Sequence, residues 1–485
     1  MIVDRARGSQ VVQYLVVVLA SVAVGTAAVG EKQLLGVAVL GVVAGGVCLM
    51  DPRLGAASLI VSAFGLEWLV LSGVAPASVK LVQDVLAVAL VLAVLLKGRR
   101  GDGVAGRIPG IRWFFAFMIF AVIGWVLNPS SLASAWVGTR DIWLFGALAI
   151  VPLGLGLTER QCRSLLGLLL GLVLLQTPVA VAQFVVSPRG VSGDPVGGTL
   201  GGSTSGVLTA LLIGSMTLII GMYLHRGMRK RILLVMAVLL AVPPALNETK
   251  VFFVAAPLVW GGILLSRVRR NSAAALGALI LAGLVIYMSF VSYGAVYGHR
   301  YAEGNALARV TQQELSAGES EGGVMKRVPS LVFAVVEVSG DSTSLLFGHG
   351  GGSLARSAVL GTSGTLVEQY GGLLRNTTFA TAIVLEYGLL GVLSFLGLVF
   401  FVVLQGRRLE MTSREPFWKA TAVGLQGLGL TMVLLSVYTD TFAADSIACA
   451  FWLLAGTVVA QIAREARVLP DAVGVGEASS RKAMG

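Results

Sequence analysis

The chain has 485 residues, 56% of them hydrophobic and only 13% charged, with a mean hydropathy of +0.86 and a formal net charge of +11. That composition excludes a water-soluble globule and points to a polytopic membrane protein. The basic excess does not mark a nucleic-acid binder, because the Lys and Arg residues sit at the ends of apolar runs, where they set orientation.

In chain order, Arg5 and Arg7 precede an apolar run longer than the core of a signal peptide, which predicts a retained first helix near 11–30. Further apolar helices are predicted at 33–50, 54–74, 79–96, 112–127, 139–157, 164–186, 203–224, 231–247, 250–266, 273–293, 378–404, 419–438 and 445–462, fourteen in all. If 33–50 and 54–74, joined only by Asp51-Pro52-Arg53, form a hairpin that does not fully cross, twelve crossings remain. The expected fold class is therefore an all-α polytopic membrane protein of 12 to 14 transmembrane helices, packed closely through its many glycines. Cys48, Cys162 and Cys449 lie in or beside apolar runs with no paired spacing, which argues against disulfides and against a zinc site.

Lys and Arg favour alternate links, which places both termini in the cytoplasm and the long segment 294–377 outside. The domain scheme that follows is an N-terminal bundle (1–293), a large extracytoplasmic loop with short helices (294–377), C-terminal membrane helices (378–465) and a disordered cytoplasmic tail (466–485). A second outer link, 187–202, is rich in Gly, Pro and Ser and carries Arg189.

Ionisable residues at membrane depth are costly and usually paired or functional. Glu67, Asp84, Asp141, Glu248, Lys250, Glu386, Asp440 and Asp445 fall there, mostly near the outer helix ends, which suggests a site at the outer interface. Lys250 opens a helix, where a cation opposes the dipole; the plain alternative is an ion pair or snorkelling to headgroups. Arg327 starts a short apolar segment expected to lie in the interface, placed for lipid phosphate or a bound diphosphate. His349, on the run Gly348-His349-Gly350-Gly351-Gly352-Ser353, is a candidate base near neutral pH, although a lone surface histidine is commonly inert.

These features, in this order between Gln183 and Val403, resemble the O-antigen ligase and polysaccharide polymerase superfamily of bacterial membrane glycosyltransferases. The matching stretches are QFVVSPRGVSGDPVGGTLGGSTSGVL, NETKVFFVAAPLVW, KRVPSLVFAVVEV, LLFGHGGGS and RNTTFATAIVLEYGLLGVLSF, the last holding Asn376 and then Glu386, Gly388 and Gly391 as Glu-x-Gly-x-x-Gly. The resemblance implies an enzyme that transfers glycan from an undecaprenyl-diphosphate-linked donor to a glycan or lipid acceptor at the outer face of the cell membrane. It implies no cofactor, and we expect no metal. The family's helix-opening arginine, loop arginine and loop histidine carry over to Lys250, Arg327 and Arg375, so two of the three positions depart from the ligase pattern and favour a polymerase-type member.

The site expected on this basis has Lys250, Arg327, Arg375 and Arg189 binding diphosphate or glycan, and Asn376, Glu386, Gly388 and Gly391 in structural roles. Arginine cannot act as a base near neutral pH, so His349 ranks first and Glu368 second for proton transfer, with Arg327 in the catalytic set. The alternative reading is an exporter that moves a polysaccharide or lipid-linked sugar without chemistry.

Overall fold

A computed structural model describes residues 33–98, 111–186, 196–201, 204–247, 249–269, 272–297, 319–320, 324–357, 361–374 and 377–482. The first predicted helix, 11–30, lies outside the described residues, as do Arg189, Glu248, Arg375 and Asn376. The elements in order are α1 (Gln33–Met50), α2 (Pro52–Leu71), α3 (Leu81–Gly98), α4 (Ile111–Leu127), α5 (Leu132–Trp143), α6 (Ala147–Gly154), α7 (Glu159–Val186), α8 (Ser205–Leu224), α9 (Lys230–Leu246), α10 (Phe252–Val268) and α11 (Ser272–Tyr297). After them come α12 (Arg327–Ser339), α13 (Ser342–Phe347), α14 (Thr365–Tyr370), α15 (Phe379–Thr412), α16 (Pro416–Leu435) and α17 (Asp445–Lys482). Two-residue antiparallel ladders pair 319–320 with 324–325 and 356–357 with 362–363.

This is an all-α polytopic membrane protein. Among the described residues eight helices are long and apolar enough to cross a bilayer, or nine if the bent pair α5–α6 is one span. Three further apolar helices, Gly41–Met50, Arg112–Leu127 and Phe252–Val268, are shorter. The predicted count of twelve to fourteen is not reached by length and composition, because several apolar runs are bent or cut short. The helix expected at 139–157 starts earlier, at Leu132, and turns by 55° between Arg140 and Leu144. At its far end the chain continues as helix to Lys482, where a disordered tail from 466 was expected.

Close helix contacts are made by glycine. On α8, a Cβ on Gly214 would lie 2.4 Å from Leu428 Cδ1, and one on Gly221 would lie 2.8 Å from the Ala420 carbonyl oxygen. On α16, a Cβ on Gly427 would lie 2.1 Å from Thr217 Cγ2. The two helices thus approach backbone to backbone, which is how membrane helices gain van der Waals contact without a hydrophobic driving force. Both are among the most buried spans.

One end of the bundle is tied together by ion pairs and polar contacts. Arg53 donates to Ser164, Arg163 pairs with Glu159 and Glu415, Arg464 donates to the Leu157 carbonyl, and Ser413 donates to Glu465. Arg267 forms a two-point bond with buried Glu410, Nε to Oε1 at 2.8 Å and Nη2 to Oε2 at 2.7 Å, and Gln426 and Arg407 also donate to that carboxylate. These contacts gather one set of helix ends. The segment around 324–374 packs at the opposite ends.

The Lys and Arg bias of the alternate links is expected to hold this end inside. A single-cysteine test needs exposed positions, and Ser353 and Ser413 are buried at 0% and 2% exposure, whereas Ser342 and Thr412 are exposed. The three native cysteines are buried. Ser342→Cys should react with an impermeant maleimide on intact cells, and Thr412→Cys only after permeabilisation; the reverse pattern would invert the topology.

Candidate functional site

The loop end is organised by a break in α15. Gly388 has φ +59° and ψ −164°, so the helix is interrupted there. A non-glycine residue is strained in that conformation, and a Cβ would lie 2.5 Å from the Gly348 amide nitrogen. Conversely, a Cβ on Gly348 would lie 2.5 Å from the Tyr387 amide nitrogen. The two glycines therefore let the loop lie directly on the helix backbone, and the His349 N–H donates to the Leu385 carbonyl at 2.7 Å.

Glu386, two residues before the break, is buried. Its Oε1 accepts from the backbone N–H groups of Gly352 and Leu354 at 3.0 and 2.9 Å. From the other side, Asn128 donates to the Gly348 carbonyl at 3.0 Å, and Gly124 and Gly138 leave room for Phe347 and Gly352. The glycine run is thus pressed between α4, α5 and α15. Its glycines serve backbone packing at these contacts.

Beside this docked loop a cavity of about 520 Å³ opens between α2, α3, α5, α8 and the start of α17. Its wall carries three cations, Lys80, Arg140 and Arg356, and four carboxylates, Glu67, Asp84, Asp440 and Asp445. Lys80 pairs with Glu67. Arg140 Nε donates to Asp84 Oδ1 at 2.5 Å. Trp136 adds an aromatic face that is half exposed. Arg356, contributed by the loop, is tied to it through a bond from Nη2 to the Gly371 carbonyl at 2.8 Å.

The predicted site residues are spread around this end. Arg327 begins α12 and sits with its guanidinium 4.1 Å from the centroid of the Tyr438 ring. Tyr438 in turn borders Gly206 of α8, next to the cavity-lining Val207. Lys250 precedes α10, in a turn anchored by Asn247, whose Nδ2 donates to Thr209 Oγ1 of α8 at 3.1 Å. Arg327 and Lys250 are thus both referred to the first turns of α8, and neither lines the cavity. Glu368 is exposed on α14 and does not line it either. Gly391 faces the Tyr387 Cβ within the kinked helix.

His349 is half-buried, and its Nε2 is buried without a hydrogen-bond partner. Desolvation holds its pKa below the usual histidine value, partly offset by the charges of Glu337 and Asp341. The imidazole is therefore favoured as a neutral group, held outside the cavity wall.

Of the cavity's charges, Glu67, Asp84, Asp440 and Asp445 are identifiable from sequence as ionisable residues at membrane depth. Lys80 and Arg140 read only as link cations, and Arg356 carries no sequence signal at all. No protein-family model matches the chain, and no characterised protein matches its sequence. The likeness to the O-antigen ligase and polysaccharide polymerase superfamily rests on the motifs quoted above.

Two outcomes follow from this geometry. Glu386→Ala strands two buried N–H donors and should cost about 2 to 5 kcal/mol, whereas Glu386→Gln keeps an acceptor and should cost less; detergent-phase thermal melting compares them. His349 binds a proton more readily unfolded than folded, so stability should fall as pH drops below about 6.5. The melting temperature of His349→Gln should therefore decline less than that of wild type between pH 7 and 5.

Proposed function

We propose that this chain is an integral-membrane glycan polymerase or ligase. It takes glycan from an undecaprenyl-diphosphate-linked donor at the outer face of the cell membrane and passes it to a glycan or lipid acceptor. The observation that carries this reading is the cavity at the loop end, walled by Lys80, Arg140 and Arg356, with Arg327 on the neighbouring Tyr438. Breaking a sugar–diphosphate bond builds negative charge on the leaving oxygen, and fixed cations in a water-poor site offset it. No nucleotide sugar is needed, because the lipid diphosphate is itself the leaving group, and protein cations do the work for which a metal would otherwise be required. In this reading the chain crosses the membrane twelve to fourteen times, with both termini inside.

A second reading, an exporter without chemistry, is favoured by one observation. The bent pair Leu132–Arg140 and Leu144–Gly154 brings an arginine to a helix break beside a polar cavity, as broken helices do in transporters.

Purified protein in liposomes supplied with lipid-diphosphate oligosaccharide separates the two. The enzyme lengthens or transfers glycan and releases lipid diphosphate in proportion; an exporter relocates the lipid-linked sugar with its linkage intact. Arg327→Ala and Lys250→Ala should each cut turnover by about 100-fold while leaving folded protein in the membrane, and turnover near wild type in both would remove them from the site.

A further inference from the structure

The glycan-transfer reading leaves the acceptor without a place and without a proton acceptor, since His349 and Glu368 are off the cavity wall. Asp84 combines several features that meet that need. It lines the cavity from the first turn of α3 and is 7% exposed. One carboxylate oxygen, Oδ1, is fixed by Arg140, whereas Oδ2 is buried and has no hydrogen-bond donor from the protein. A buried carboxylate oxygen left in that state is costly, and a donor supplied by a bound molecule would offset the cost. A carboxylate can only accept, so the complementary group is a hydroxyl or N–H.

Trp136 is the second observation. It lines the same cavity and presents a half-exposed indole. A sugar ring has an apolar C–H face suited to an aromatic surface and a rim of hydroxyls suited to carboxylates. An aromatic wall facing Glu67, Asp84, Asp440 and Asp445 offers both.

Resting on the transfer reading, we propose that this cavity is the acceptor-sugar site and that Asp84 is the catalytic base, oriented by Arg140. The acceptor hydroxyl gives its proton to the Asp84 carboxylate. Its oxygen lone pair forms the new bond to the donor's anomeric carbon as the bond from that carbon to the diphosphate oxygen breaks. The electron pair leaves with the lipid diphosphate, and Asp84 later returns its proton to water. The charged groups of the cavity that accompany Asp84 are Arg140 on α5, Lys80 before α3, Glu67 on α2, Asp440 in the link between α16 and α17, Asp445 at the start of α17, and Arg356 from the loop.

Two measurements on the full chain in nanodiscs test this. The first is calorimetric binding of the repeat-unit oligosaccharide cleaved from its lipid. Trp136→Ala should weaken binding by about tenfold, Trp136→Phe should retain most of it, and Asp84→Asn should leave it within about threefold. The second is turnover on lipid-diphosphate oligosaccharide. Asp84→Asn keeps an oxygen for Arg140 yet should lose about 100-fold, together with the acid-side fall in rate that is expected of wild type. If Asp84→Asn does not fold, Asp84→Glu carries the test, and it should keep that acid-side fall at reduced rate.

An active wild type with Asp84→Asn equally fast at every pH would overturn the base while leaving glycan transfer intact. Binding unaffected by Trp136→Ala would overturn the sugar site. An inactive wild type that still binds oligosaccharide through Trp136 would instead overturn transfer, and the base with it, and keep the sugar site.

Discussion

A helix interrupted inside a membrane exposes backbone groups that lipid cannot satisfy, and at Gly388 the loop takes them up. The left-handed turn there directs the Leu385 carbonyl toward the His349 N–H, and Glu386 takes the N–H groups of Gly352 and Leu354. The break and the loop are therefore one structure. Neither is stable without the other, because an unpaired buried amide costs about 1 to 3 kcal/mol and several are paired here. This explains why so many glycines sit on both sides of the contact. Gly348, Gly352 and Gly388 all have positive φ and all meet another backbone within van der Waals distance.

Fixing the loop fixes the cavity beside it. The 356–357 ladder that carries Arg356 into the wall follows directly from the docked run, and Thr362 on its partner strand bonds to Ser134 of α5 at 2.6 Å. Across the cavity, Arg140 of α5 reaches Asp84 of α3. The bend between Arg140 and Leu144 lies one step beyond this ion pair, with Trp143 wedged among Phe114, Phe117 and Trp452. Ion pairs of this kind are weak evidence for stability, since desolvation offsets most of the attraction. Their worth lies in holding charge in position near the expected chemistry.

The membrane class and most helix positions were legible because apolar runs and terminal cations are local signals. Pro52 after Asp51 marks the start of α2, and Asp51 does accept from the Arg53 and Leu54 amides. The span count was harder to read, since whether an apolar run crosses straight or bends is decided by partners distant in sequence, as at Arg140 and Asp84. The Glu-x-Gly-x-x-Gly stretch stood out, but its reason did not: only the fold shows that Gly388 and Gly348 need each other across 40 residues of chain. Composition cannot tell a loop open to solvent from one pressed between helices, so the glycine run around His349 carries no sign of its packing against α4, α5 and α15.

The cavity carries the same lesson for chemistry. Its charges come from α2, α3, α5, the loop and the start of α17, so no motif window contains two of them apart from Lys80 with Asp84 and Asp440 with Asp445. A motif search is drawn to the loop, where histidine and glutamate are conspicuous, while burial works against them: His349 is disfavoured as a cation by desolvation, and Glu368 is bathed in solvent. A base acting on a sugar hydroxyl needs a polar wall around the acceptor and limited water. On the proposed transfer reading we place that base among the carboxylates between the membrane helices, where the loop adds Arg356 to the wall.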